Sequence, residues 1–236
     1  MEVVDALTQV PSLLYGATLI LGLIVGSFLN VVILRLPRMM EQEWRDECAE
    51  LAGSEAGADA PTERLSLSTP SSHCPGCGHG IRAWENIPVL SFLLLRGRCS
   101  QCAQPISWRY PLIESLTAML SVIVLWQFGP TLQGGFALLL TWGLIALAFI
   151  DADTQLLPDD ITLPLLWMGL LLSVWGIFAD SHSAIIGAVA GYMSLWLVFH
   201  LFRLLTGKEG MGRGDFKLLA LFGAWLGWQA LPQILL

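Results

Sequence analysis

Two aspartates, Asp151 and Asp215, have the surroundings to move protons. The first closes an apolar run in "IALAFIDADTQLLPDDITLP", and the second follows two glycines in "GMGRGDFK". Two carboxylates held close together share one proton. The ionised one can then deprotonate a water, while the protonated one serves the carbonyl oxygen or the leaving amine of a peptide. That is the equipment of an aspartic peptidase. Gly212 and Gly214 are expected to support it, by letting the backbone approach a substrate closely and by admitting positive φ.

Local sequence alone allows plainer roles. Asp215 could be the N-cap of the helix it precedes, and Asp159 or Asp160, after Pro158, could be an N-cap as well. Asp153 reads as a solvated turn residue or a partner of its neighbours. Arg213-Gly214-Asp215 spells an adhesion tripeptide, but the charge map below puts it on the cytoplasmic side. The Gly210-x-Gly212-x-Gly214 run is no phosphate loop, since no strand precedes it and the Lys-Ser/Thr ending is absent.

A second constellation is made of sulfur. Cys74-Pro75-Gly76-Cys77 and Cys99-Ser100-Gln101-Cys102 are two C-x-x-C pairs. Each pair can grip one ion from a tight turn, and together they complete a tetrahedral, closed zinc site. The gap between them is slightly longer than the common zinc-ribbon spacing. Gly76, Gly78 and Gly97 suit the bends required. A closed set of four thiolates leaves no position for water, so the metal is expected to be structural. Disulfides are the alternative, disfavoured in a reducing cytoplasm. Cys48 reads as a free thiol, and His73 and His79 flank the first pair as spare ligands.

These groups need a scaffold, and the composition says which kind. The chain of 236 residues is 55% hydrophobic and 13% charged, about half the charge of an ordinary soluble domain. Its mean hydropathy is +0.65. Apolar segments at about 12–34, 111–128, 132–150, 161–179, 184–205 and 216–236 each approach the ~20 residues that cross a bilayer. Pro164 is expected to kink the fourth. The first is no ordinary signal peptide, because Arg35 and Arg38 follow it and no Lys or Arg precedes it.

With the N-terminus outside, residues 35–110, 151–160 and 203–217 share one side and hold all twelve Lys and Arg. By the positive-inside rule that side is the cytoplasm. The fold class expected is an all-α polytopic membrane protein of about six transmembrane helices, with a small cytoplasmic zinc-binding lobe between helices 1 and 2. The divisions are 1–34, a first anchor; 35–110, a cytoplasmic loop with the lobe at about 72–108; and 111–236, the core that carries the aspartates. A short helix is expected near 41–51, followed by a linker. No internal repeat of fixed period is visible.

Together these motifs resemble the type IV prepilin peptidases. "GSFLNVVILRLPRMM" is similar to that family's first span and its exit, and "WENIPVLSFLLLRGRCSQC" with the C-x-x-C pairs to its zinc domain. "IDADTQLLPDD" is similar to its first catalytic motif, with Asp151 in place, and "GMGRGDFK" to its G-x-G-D motif, with Gly212, Gly214 and Asp215 in place. The resemblance implies a bacterial inner-membrane enzyme whose two aspartates cleave the short basic leader of prepilins and type II secretion pseudopilins after a Gly, on the cytoplasmic side. It further implies methylation of the new N-terminal amine, commonly that of a Phe, with S-adenosylmethionine as donor. No methyl-donor residue can be named from the sequence. Members of the family generally continue with further hydrophobic segments, whereas this chain ends at Leu236, which raises the expectation of a truncated, inactive form.

Two other classes fit parts of the pattern. An ion-coupled transporter would place its carboxylates near mid-span, but these sit at one face. A scaffold whose zinc lobe docks partners would not need Asp151 and Asp215 together. The bilayer and pilin-like substrates are the expected partners, with no nucleic acid, and the oligomeric state is not legible.

Overall fold

The structure, a computed structural model, describes residues 11–52, 65–208 and 210–236. Among these the only β pairing is two isolated bridges, and the rest is helix and turn. The chain packs as two compact units, Met1–Ala146 and Leu147–Leu236.

In the first unit, α1 (Pro11–Leu51) is a single helix of 41 residues that continues through Pro37. It absorbs the short helix expected at 41–51, so the exit from the first span and the start of the loop are one rod. The lobe follows, with a 3-10 turn (Ala83–Asn86) and α2 (Leu90–Leu94). Next come α3 (Arg109–Phe128) and α4 (Leu132–Thr154). Gly22 and Gly26 let α1 lie directly on α3. A Cβ at Gly22 would sit 2.5 Å from the Ala118 Cα, and one at Gly26 would sit 2.7 Å from the Glu114 Cα. Such small residues four apart are how apolar helices approach without a hydrophobic driving force between them. Trp142 Nε1 donates to Ser121 Oγ at 2.9 Å, and that hydroxyl donates to the Thr117 carbonyl.

The second unit takes the end of α4, then α5 (Asp159–Ser173), α6 (Ser181–Thr206), α7 (Arg213–Leu226) and α8 (Leu231–Leu235). α6 and α7 touch backbone to backbone. A Cβ at Gly187 would collide with the Gly223 carbonyl, and one at Gly191 would lie 2.6 Å from the Leu219 oxygen. α5 and α7 are joined by Trp225, whose indole N–H donates to the Leu165 carbonyl at 2.8 Å and whose ring lies over Gly169.

Four helices are long and apolar enough to cross a membrane, and a fifth span is possible if a bent pair counts as one. Two of the six expected segments therefore depart from straight spans. The fourth, 161–179, is a helix of 15 residues. Pro164 lies within it, but the stop is a left-handed cap at Gly176 (φ 63). There the Ile177 N–H reaches the Leu172 carbonyl and the Gly176 N–H reaches that of Ser173, the pairing of a Schellman motif. The last segment, 216–236, is broken at Gly227 (φ 80) into pieces bent by 119°. A Cβ there would meet the Ser183 hydroxyl at 2.5 Å, so both the bend and its packing require glycine.

Candidate active site and metal centre

Asp151 lies in the last turn of α4. That helix is closed by Gln155 in a left-handed conformation (φ 54), whose N–H returns to the Asp151 carbonyl at 2.8 Å. Leu156 and Leu157 then lead to Pro158, which is the N-cap of α5. Neither Asp159 nor Asp160 is the N-cap. Both fall in the first helical turn, where their charge complements the helix dipole. Asp159 also receives both of its carboxylate contacts from Lys217 Nζ, at 2.7 Å each. Asp153, like Asp151, is exposed.

Asp215 is not an N-cap either. Gly212 holds that position, with φ −72, and Asp215 is the third residue of α7. From there its carboxylate accepts the Gly212 N–H, which is one half of a capping box. Positive φ is not used at Gly212 or Gly214. Gly214 serves a close approach, though to protein: a Cβ there would sit 2.8 Å from the Leu157 Cβ. The turn that follows Asp151 thus packs on the residue preceding Asp215, and each aspartate lies within the field of the other's charge. Asp215 is half-buried and Asp151 exposed. The two groups differ in solvation, as an acid and base pair needs.

The four cysteines of the lobe converge as well. Their Sγ atoms all lie within 4.8 Å of one another, with Cys74–Cys102 at 3.7 Å and Cys77–Cys99 at 4.0 Å. None is in a disulfide. Four thiolates at ~2.3 Å from a zinc ion make a tetrahedron with edges of about 3.8 Å, so the set fits that ion.

The two pairs share one backbone design. Cys74 N–H donates to His79 O and Gly78 N–H to Cys74 O; Cys99 N–H donates to Gln104 O and Ala103 N–H to Cys99 O. The bridges His73–Gly80 and Arg98–Pro105 close each loop at equivalent places. The fourth residue after each leading cysteine has positive φ, Gly78 at 71 and Ala103 at 57. This repeat escaped the sequence reading because its second copy puts Ala where the first has Gly. The small residue four places after each C-x-x-C start is the signal that could have revealed it.

N–H groups from Gly76 and then Cys77 pull the Cys74 thiol down to about 7. Those of Cys102 and Gln101 lower Cys99 too. At Cys77 the His79 N–H pulls down, but burial and the three neighbouring sulfurs win, and the thiol is pushed up to about 12. Crowded thiols resist full ionisation unless a cation joins them.

His79 and His73 stand outside the sulfur cluster. His79 Nε2 lies 3.2 Å from Glu85 Oε2, and His73 Nδ1 lies 3.2 Å from the Ser71 carbonyl. Glu85 is held below the usual carboxylate range by the Arg82 N–H, the Ser100 hydroxyl and His79, which ties the first pair to the second. Cys48 is exposed on the far end of α1.

Sequence reasoning also missed Glu114. It is 8% exposed, accepts the Val89 N–H at 2.7 Å and is hydrogen-bonded to Ser27. Val89 has φ 58 and ψ −45, and the Leu90 N–H turns back to the Pro88 carbonyl. This is a γ-turn of the rare, strained kind, centred on a β-branched residue. A charged residue inside an apolar segment was the available signal. Nearby, Asn30 Nδ2 donates to the Tyr110 carbonyl, and Arg35 donates to the carbonyls of Ser66 and Pro70. Residues of α1 and α3 therefore hold the lobe at both of its ends.

Residues 20–128 match the model of the bacterial peptidase A24 N-terminal domain, and residues 138–236 match that of the type IV leader peptidase family. The chain is 56% identical over 236 residues to the prepilin leader peptidase/N-methyltransferase of Pseudomonas aeruginosa, covering 100% of this chain and 81% of that protein. The chain belongs to the type IV leader peptidase family.

Other relatives agree. The prepilin leader peptidase/N-methyltransferase of Stutzerimonas stutzeri is 53% identical over the same 236 residues, with 81% of it covered. That of Burkholderia pseudomallei (strain 1026b) is 53% identical over 218 residues, or 92% of this chain and 71% of that protein. No solved structure matches. As in any leader peptidase, a chemistry that cuts peptides has to be found among this chain's own side chains, and the Asp151–Asp215 pair is suited to it.

Proposed function

We propose that this leader peptidase uses Asp151 and Asp215 as its acid and base, cleaving the leader of prepilins and pseudopilins at the cytoplasmic face of a bacterial inner membrane. The observation that carries this reading is the packing of Leu157 on Gly214, which sets two carboxylates from distant helices in each other's field. The reaction needs one carboxylate ionised and the other protonated. The ionised carboxylate takes a proton from a water as its oxygen bonds to the peptide carbonyl carbon. The protonated partner donates to the carbonyl oxygen. Collapse of the tetrahedral adduct breaks the C–N bond, and the proton gained from water passes to the leaving amine. Asp215 keeps its orientation through the Gly212 N–H, while Lys217 is occupied by Asp159 and does not quench the dyad.

The cytoplasmic orientation is supported by the grouping of all twelve Lys and Arg in residues 35–110, 151–160 and 203–217. The divisions 1–34, 35–110 and 111–236 are retained as functional regions: an anchor, a metal-bearing loop and the peptidase core. The relatives' names also carry N-methylation, and S-adenosylmethionine would supply the electrophilic methyl group for the newly freed amine.

In the lobe, Cys74, Cys77, Cys99 and Cys102 would hold one zinc ion. Bound there, zinc supplies a structural cross-link and no open coordination position. A lobe below ~40 residues lacks core enough to fold alone; its one buried ring is Phe92, against Trp108 at 4.7 Å. The test of the dyad is processing of a prepilin by the full chain in membranes, with Asp151→Asn and Asp215→Asn made singly. Normal processing by either variant sinks the assignment.

A further inference from the structure

The short helix of the lobe turns most of its leucines outward. In α2, Phe92 is buried against Trp108. Leu93 and Leu94 are 61% and 72% exposed, and Leu90 and Ile87 are exposed beside them. Leu90, Leu93 and Leu94 stand three and four apart, so they share one face. A contiguous apolar surface of this kind marks contact with a partner or a membrane.

The height of α2 along the bundle decides which. Val89, the N-cap of α2, gives its N–H to the Glu114 carboxylate at 2.7 Å. Glu114 lies five residues into α3, so its Cα is about 7.5 Å inside that helix end, and its side chain leans back toward the end. α3 has 20 residues, a length of ~30 Å, which is only the thickness of the hydrocarbon it has to cross. Its first turns therefore cannot stand far out of the bilayer. α1 agrees on the level, because Asn30 reaches the Tyr110 carbonyl in the first turn of α3. The start of α2 is thus pinned at the boundary between headgroups and acyl chains.

The flanks of α2 suit that boundary. Trp84 and Trp108 are exposed beside it, and amphipathic rings settle at headgroup level. Arg96 and Arg98, also exposed, follow α2 directly. Apolar residues on one face with cations at its edge are the make-up of a segment that lies in the membrane surface.

We propose that α2 is an interfacial foot, by which the cysteine-bearing lobe rests on the bilayer that α1 and α3 cross. Leu90, Leu93 and Leu94 enter the acyl-chain boundary, Trp84 and Trp108 lie among the headgroups, and Arg96 and Arg98 meet lipid phosphates. A second copy of the chain is the rival occupant. A two-fold contact through this patch would bring Arg96 and Arg98 close to their own equivalents, which is unfavourable. The foot does not depend on the roles of Asp151 and Asp215.

The experiment uses the full chain in nanodiscs of phosphatidylethanolamine and phosphatidylglycerol. The photoreactive p-benzoylphenylalanine is placed singly at Leu93, at Leu94 and, for reference, at Glu47. Glu47 is exposed on α1, about 25 Å further along that helix than Asn30. On illumination, the probes at Leu93 and Leu94 should give phospholipid adducts by mass spectrometry, and the probe at Glu47 should give none above background. With the probe at Leu90, Leu93→Gln combined with Leu94→Gln should lower the lipid adduct by about half or more, because two leucine side chains then leave the acyl boundary. Leu93→Met with Leu94→Met should keep it. Both positions are exposed, so folding is not at stake. An adduct joining two copies overturns the proposal in favour of self-association, and one to another segment of the same chain overturns it in favour of an internal contact. Lipid labelling at Glu47 equal to that at Leu93 overturns it too, since the lobe would then lie no closer to the bilayer than the far end of α1. So does an unchanged lipid yield in the glutamine variant.

Discussion

Cys74 and Cys99 are 25 residues apart, and each begins the same small loop with the same hydrogen bonds. Asp151 and Asp215 are 64 residues apart, and nothing about their local geometry is shared: one ends a helix at a left-handed Gln155, the other sits inside the first turn of another helix. The lobe converges because two local turns each preset a pair of ligands, and a metal would then join the pairs. The aspartates converge because whole helices pack. One arrangement is assembled by short-range hydrogen bonds and would be completed by a cation, the other by glycine contacts between helix backbones and by one leucine, Leu157, on Gly214. An ion in the first could be removed and returned. The second has no component that can be removed without replacing a side chain.

That contrast can be tested most forcefully at the aspartates. Asp151→Asn and Asp215→Asn should each cut prepilin cleavage on the order of 10^3-fold while leaving the metal content of the chain unchanged. A parallel loss of metal would show that the two regions are not independent. Serine at Cys74, Cys77, Cys99 and Cys102 should do the opposite, abolishing bound zinc as measured by elemental analysis while reducing cleavage less than either aspartate change. Metal affinity of the unchanged lobe should fall as the pH is lowered, and more steeply below about 7, because protons compete for the thiolates. Its sign follows from Cys74, pulled down to about 7, and Cys77, which gives up its proton only to a cation.

Smaller effects probe the packing itself. Gly214→Ala puts a Cβ 2.8 Å from that of Leu157, and the shift it forces should lower cleavage by about tenfold or more, since a displacement near 1 Å can cost ~10²-fold. Leu157→Gly in the same chain, which removes that Cβ, should recover part of the loss. Glu114→Gln should loosen the Val89 turn by about 1–2 kcal/mol, read as faster amide exchange at Val89, with zinc retained. Lys217→Met removes a partly exposed ion pair with Asp159. It should change stability by less than ~1 kcal/mol and leave cleavage nearly unchanged.

Composition, hydropathy and charge placement were enough to read a helical membrane protein, because insertion into a bilayer depends on apolar length and on which loops hold Lys and Arg. The C-x-x-C pairs announced a metal site for a similar reason, since ligand spacing within a tight turn is a local property. Asp151 and Asp215 stood out by their neighbours Pro158, Gly212 and Gly214, although the part those neighbours play was legible only in outline. Helix ends were read less well. Pro158 took the cap expected of Asp159 or Asp160, Gly212 took that of Asp215, and Gly176 and Gly227 interrupted two segments that hydropathy treats as continuous.

Tertiary packing alone decided that Gly214 faces Leu157, that Glu114 holds a strained Val89, and that Tyr192, Trp196 and His200 border the turn carrying Asp215. Hydropathy, spacing and charge are sums over residues near in sequence. These contacts join residues 13 to 57 positions apart in the chain, and which of them form depends on how helices place their glycines against one another.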